Sequence, residues 1–298
     1  MEYSQVAGDD SWRYADPPTF PATFTRCCGQ EWDATVSEVI WDLVEGQQPI
    51  AATAIHAGHE LRDEVSRRTA LTTAERRREE DPGTNIFASV AGTQIVVRRS
   101  RFEVDLNRPR DAAVYVLPKD AWGLTLWRRK PRKRFIERSL AEYDAFYAEA
   151  HRVFSDMESR FGRFVVFDMH SYNHRRNGPE GAPEDPAGNP EINVGTGTLD
   201  RERWGPLVDR FIGDVAGFDY LGRHLDVREN VRFRGGHFSA WVHENFPDSA
   251  CCLAIEFKKV FMDEWTGEFF PEEHEALAQA IAASLPGVFE SLDAMGSE

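Results

Sequence analysis

Positive charge is scarce in this chain: 35 Lys and Arg stand against 50 Asp and Glu, a formal net charge of −15. A field of that sign repels phosphate backbones, so nucleic acid is not an expected partner. Long apolar runs are missing too. Nothing approaches the roughly 18 apolar residues that a membrane span needs, so no membrane partner is expected. Met1-Glu2-Tyr3-Ser4 does not start a basic region followed by an apolar core, so no secretory signal is expected and the cytoplasm is the expected compartment. The cysteines are two adjacent pairs, Cys27-Cys28 and Cys251-Cys252, without the C-x-x-C spacing of zinc sites. Neighbouring cysteines bond each other only with strain, so reduced thiols are expected. Ser171 lacks the G-x-S-x-G elbow of a nucleophilic serine. Gly195-Thr196-Gly197 lacks the Lys-Ser/Thr of a phosphate loop.

What is present suits a globular protein. Hydrophobic residues make up 41% and charged residues 29% of 298, enough to bury a large core. The expectation is a single catalytic domain over 1–298, with 1–46 a leader and a helix packed on it. Trp32, Val36, Val39, Ile40, Leu43 and Val44 recur at helical spacing before Gly46. Apolar strand signals fall at 49–55, 94–104, 164–167, 192–194, 230–237 and 252–255. Helix signals fall at 60–65, from the capping box Thr72-Thr73-Ala74-Glu75 to Arg78, and at 138–160, 200–214 and 271–290. This alternation predicts a three-layer α/β/α fold with a central mixed, mostly parallel sheet. The basic run Arg128–Arg134 reads as a solvated surface loop. The stretch 174–190 is long enough to be a functional loop.

Three strands end in ligand-type residues, and ligands gather at the carboxyl ends of strands in such sheets. The 49–55 strand runs into His56-Ala57-Gly58-His59-Glu60, and the next into Asp168-Met169-His170. His56, His59 and His170 would give three protein ligands with an open position, the catalytic zinc pattern, so one Zn2+ per chain is expected. Glu60 and Asp81 are further oxygen donors near the same edge, and Asp168 would orient a ligating histidine. Glu256 sits where its strand should still be buried, and a carboxylate there needs a partner or a task. General-base catalysis is such a task. Asn107 and Arg108 end another strand, where an arginine fork can grip a carboxylate; Arg175 and Arg176 can add to that grip, as can Arg101.

His56-Ala57-Gly58, Val104-Asp105-Leu106-Asn107-Arg108, Asp168-Met169-His170-Ser171, Gly195-Thr196, Gly235-Gly236-His237 and Ile255-Glu256 follow one another over about 50–260. This series resembles the N-formylglutamate amidohydrolase family, which is similar in turn to the zinc carboxypeptidases. The resemblance implies a zinc carboxypeptidase-like fold and hydrolysis of an amide bond next to a carboxylate. It implies metal ligation by His56 and His170, a carboxylate clamp at Asn107 and Arg108, and Glu256 as base. The carboxypeptidase pattern would place a glutamate three residues after His56. That position is His59 here, with Glu60 one further, so the second ligand is open between His59, Glu60 and Asp81. A metallocarboxypeptidase acting on peptides or other N-acyl substrates is the alternative activity. A non-catalytic metal- or ligand-binding member of the fold is the second alternative.

Overall fold

The computed structural model describes residues 39–295. Its strands are β1 (Trp41–Val44), β2 (Ile50–Ala54), β3 (Thr93–Val97), β4 (Phe164–Tyr172), β5 (Ile192–Gly195), β6 (Val227–Glu229) and β7 (Ala250–Lys258). Its helices are α1 (Asp63–Ser66), α2 (Thr73–Glu79), α3 (Thr84–Ala88), α4 (Lys133–Phe161), α5 (Arg201–Gly217), α6 (His237–Asn245) and α7 (Pro271–Met295). All strands join one sheet in the order β1-β3-β2-β4-β7-β5-β6. β3, β2, β4 and β7 run parallel, as do β5 and β6. The β1–β3 and β7–β5 pairings are antiparallel. The sheet is therefore mixed and mostly parallel, as the sequence pattern predicts.

Period-two alternation on buried strands sorts the core into two layers. Val165, Phe167 and Met169 of β4 pack with Leu253 and Ile255 of β7 against α3, α5 and α7. Phe164 and Val166 pack with Cys252 against α4 and α6. Each such phenylalanine contributes about 1.5–3 kcal/mol by leaving water. The free thiols of Cys251 and Cys252 are buried in these layers.

Four sequence-level expectations change. Residues 41–44 form strand β1, not the end of a helix: exposure alternates along it, and Trp41 and Leu43 turn toward the α4 layer. The rest of that expected helix, the leader and Cys27-Cys28 lie outside the described residues. The strand expected to reach residue 104 stops at Val97, and turns follow, with Glu103 N–H donating to the Ser100 carbonyl. Around 230–237 the strand is the earlier Val227–Glu229, and His237 opens α6. The apolar run at 164–167 is only the first half of β4, which continues through His170 to Tyr172. The capping box is as read: Thr72 accepts from Glu75 N–H, and the Glu75 carboxylate accepts from Thr72 N–H. Among the described residues, no helix is long and apolar enough to cross a membrane.

Candidate metal centre

His56 follows β2 in a tight turn, with Ala57 N–H reaching back to the Ala54 carbonyl. The turn is set by Gly58, where a Cβ would overlap the backbone of Arg98. Beyond it the chain joins the end of β3: Glu60 N–H donates to the Arg98 carbonyl at 3.0 Å, and Ser100 N–H to the Glu60 carbonyl at 2.9 Å. That path sends His56 inward and leaves His59 exposed, its carbonyl accepting from Arg76. Glu60 is exposed as well.

The structure brings His56 and His170 together with Asp81, not with His59 or Glu60. One ligand-type atom from each of the three lies within 4.8 Å of the others. All three are buried, at 1%, 2% and 2% exposure. Asp81 stands in the acidic turn after α2, and its N–H donates to the His56 carbonyl at 3.0 Å. Its Oδ2 lies 3.1 Å from His170 Nδ1 and 3.4 Å from His56 Nδ1.

The opposite edge of each imidazole is held by a buried carboxylate. His56 Nε2 is 2.7 Å from Asp105 Oδ1, and His170 Nε2 is 2.9 Å from Asp168 Oδ2. Asp168 also accepts from the Thr53 hydroxyl at 2.8 Å. Asp105 is held by Arg101 at 2.9 Å and by the Tyr115 hydroxyl. Burial raises the Asp105 carboxyl, but Arg101 and His56 outweigh it and keep it well below the usual carboxylate range. Such partners fix the proton on Nε2 and turn the Nδ1 lone pair to the other side.

This arrangement fits a cation. With the ring protons held on Nε2 by the outer carboxylates, the Asp81 carboxylate would face two Nδ1 lone pairs, and the buried His56 Nδ1 has no hydrogen-bond partner among the described residues. Acceptors facing acceptors in a buried site need a positive charge between them. Two imidazole nitrogens, each backed by an outer carboxylate, and one oxygen of the Asp81 carboxylate form a donor set suited to zinc.

Glu256 lies beside His170 in the register of the parallel pair β4–β7. Burial pushes its carboxyl up to about 7, against the pull of His170, with Asp81 and Asp168 adding to the rise. It lines a cavity of about 220 Å3 together with His56, Asp81 and His170. Asn107, Arg108, Arg101, Arg176 and Trp122 line the same cavity. Asn107 Oδ1 accepts from Phe238 N–H at the start of α6, and a Cβ on Gly236 would collide with the Asn107 amide. Arg108 is held only loosely, 3.8 Å from Asp105 Oδ2. Arg175 does not line the cavity; it is engaged by Asp263 and by the carbonyls of Pro179 and Gly181. His237 also lies off the cavity, 3.0 Å from the Tyr143 hydroxyl.

The spacing after His56 favours His59 over Glu60 and Asp81, and it gives Asp105 and Tyr115 no role. The one signal for Asp105 was a lone acid between Val104 and Leu106.

The mixed sheet with a His–Asp–His cluster at the carboxyl ends of its central strands defines an α/β protein with a candidate metal centre. The model of the N-formylglutamate amidohydrolase family matches residues 48–262. The chain belongs to that family. Among solved structures, it is similar to N-formylglutamate amidohydrolase from Ralstonia eutropha JMP134, with 14% identity and a TM-score of 0.64, covering 85% of this chain and 99% of that one. A gene product of Agrobacterium tumefaciens matches with 16% identity and a TM-score of 0.60, covering 85% of this chain and 97% of that one. No curated protein matches.

Proposed function

We propose that the protein is a zinc-dependent amidohydrolase that cleaves an amide bond next to a carboxylate, in the manner of an N-formylglutamate amidohydrolase. The observation that carries this reading is the buried His56–Asp81–His170 group, placed beside the Glu256 carboxyl on the next strand.

His56, Asp81 and His170 would hold the ion. Bound there, it supplies Lewis-acid polarisation of the amide carbonyl and of the attacking water. Glu256, raised to about 7, takes a proton from that water and returns it to the leaving nitrogen. Arg108 and the amide N–H groups of Asn107 grip the substrate carboxylate, which fixes the amide relative to Glu256. Arg176 offers a second cationic contact at the cavity wall.

The test pairs elemental analysis with assay. Wild type should carry about one zinc per chain and release the free amino acid from N-acyl amino acids, N-formyl compounds among those screened. His170→Ala should lose both properties. Glu256→Gln should keep the metal and lose turnover; nearly full turnover in Glu256→Gln would remove the base from this reading.

A further inference from the structure

Two polar side chains in the cavity have no counterpart in the scheme above. Asn173 is 2% exposed and Ser171 is 8% exposed. Both line the cavity, yet the Asn173 Oδ1 and the Ser171 Oγ have no hydrogen-bond partner among the described residues. A buried amide or hydroxyl with no partner is costly, and such groups are rare outside functional positions. Ser171 is the penultimate residue of β4 and Asn173 follows its last, so both stand at the carboxyl edge of that strand.

Their place relative to the carboxylate clamp is also informative. The Leu106–Arg108 segment is fixed to the α4 layer, with Tyr147 donating to the Leu106 carbonyl at 2.7 Å and Tyr143 to the Arg108 carbonyl at 3.0 Å. The chain after Asn173 is fixed to the stretch that follows β7. There Glu264 accepts from His174 N–H at 2.7 Å and Arg175 N–H at 3.1 Å, and the neighbouring Phe261 and Met262 pack in the opposite layer. The clamp and Asn173 therefore reach the cavity from segments anchored on opposite faces of the sheet. A substrate whose carboxylate lay at Arg108 and whose amide lay at Glu256 would leave its acyl half the rest of the cavity wall, which includes Asn173.

We infer that Asn173 is a substrate-positioning residue for the acyl half, and that this half carries a hydrogen-bonding group of its own beyond the scissile carbonyl. The substrate class is an N-acyl amino acid whose acyl group holds a second amide or a comparable polar group. A bare formyl group has no atom to offer Asn173. The inference rests on the proposed amide hydrolysis.

The test uses two substrates of equal acyl length, N-acetylglycyl-glutamate and N-pentanoyl-glutamate, with wild type, Asn173→Leu and Asn173→Ala. Wild type should favour the acetylglycyl compound by about tenfold or more in kcat/KM, the worth of one well-made hydrogen bond. Both variants should bring the ratio near one. Asn173→Leu should also hold or raise Tm by about 2–4 °C, because it removes an unpaired buried amide. A wild-type ratio near one, a ratio unmoved in the variants, or a fall in Tm with the ratio unmoved overturns the assignment. If wild type hydrolyses neither compound, calorimetric binding of the same pair decides. A preference for the acetylglycyl compound that Asn173→Leu abolishes upholds the role of Asn173 and sinks the hydrolase reading. Equal binding, or none, sinks the role of Asn173.

Discussion

Asp81 is tied to His56 twice: its N–H donates to the His56 carbonyl at 3.0 Å, and its Oδ2 sits 3.4 Å from the His56 Nδ1. The main-chain bond holds the acidic turn against the end of β2 whether or not an ion is bound, so the carboxylate is already in place. Asp81→Ala is therefore expected to lose most of its metal, and His59→Ala to keep it. Elemental analysis of the two variants side by side checks this; the reverse pattern would return the second ligand to His59.

Asp105 is expected to act on the ion through His56. Asp105→Asn should weaken zinc binding by about 10- to 100-fold, the usual effect of removing a carboxylate behind a ligating imidazole. Tyr115→Phe removes only the hydroxyl on the other Asp105 oxygen and should leave affinity within a few-fold. Competition with a chromogenic chelator measures both.

Two buried carboxyls away from the candidate metal centre should give pH effects of opposite sign. Burial, and then Glu103 beside it, pushes Glu142 up to about 7 despite the Arg99 guanidinium at 3.0 Å. Its contribution is fully present below pH 4.5 and lost as pH rises through about 7. Burial also acts to raise Glu264, but its hydrogen bonds from His174 and Arg175 hold it at about 2. Its contribution is present above pH 4.5 and lost as pH falls through about 2. Glu142→Gln should flatten the decline between 4.5 and 7, and Glu264→Gln the decline on the acid side. Urea midpoints across pH read both slopes, and an unchanged slope in either variant would remove that carboxyl from the account.

Arg175 and Arg176 are adjacent but should behave differently. Arg176 lines the cavity and has no ion pair among the described residues, so Arg176→Ala should raise KM by roughly tenfold with Tm unchanged. Arg175 braces the 174–181 loop through Asp263 and two carbonyls, so Arg175→Ala should lower Tm by roughly 2–4 °C. Steady-state kinetics and thermal melts of both proteins separate the roles.

Much of this layout could be read from the chain because strands and helices with one buried face carry their own periodicity. β2, β4 and β7 announce themselves as apolar runs, and His170 and Glu256 stand out as polar residues within or just after such runs. What could not be read depends on three-dimensional closure. On paper the spacing after His56 favours His59 over Asp81. In the fold, the close approach of Gly58 to the Arg98 backbone, which leaves no room for a Cβ, swings His59 outward. Strand β1 was mistaken for a helix end because Val39, Ile40, Leu43 and Val44 also fit a 3.6-residue period, and short apolar runs do not separate the two periods. Helix α6 went unseen because its start is set by Asn107, distant in sequence, which accepts from Phe238 N–H.

The Asp81–His170 contact closes 89 residues of chain, and the Thr53–Asp168 hydrogen bond beside it closes 115. Contacts of such long range form late, after the parallel pairing of β2 and β4 has met its loop-closure cost. No short peptide cut from this sequence contains the three donors, and no half-built sheet presents them together. Metal capture during refolding would therefore act as a clock for completion of the central strands, rising only when the sheet has closed.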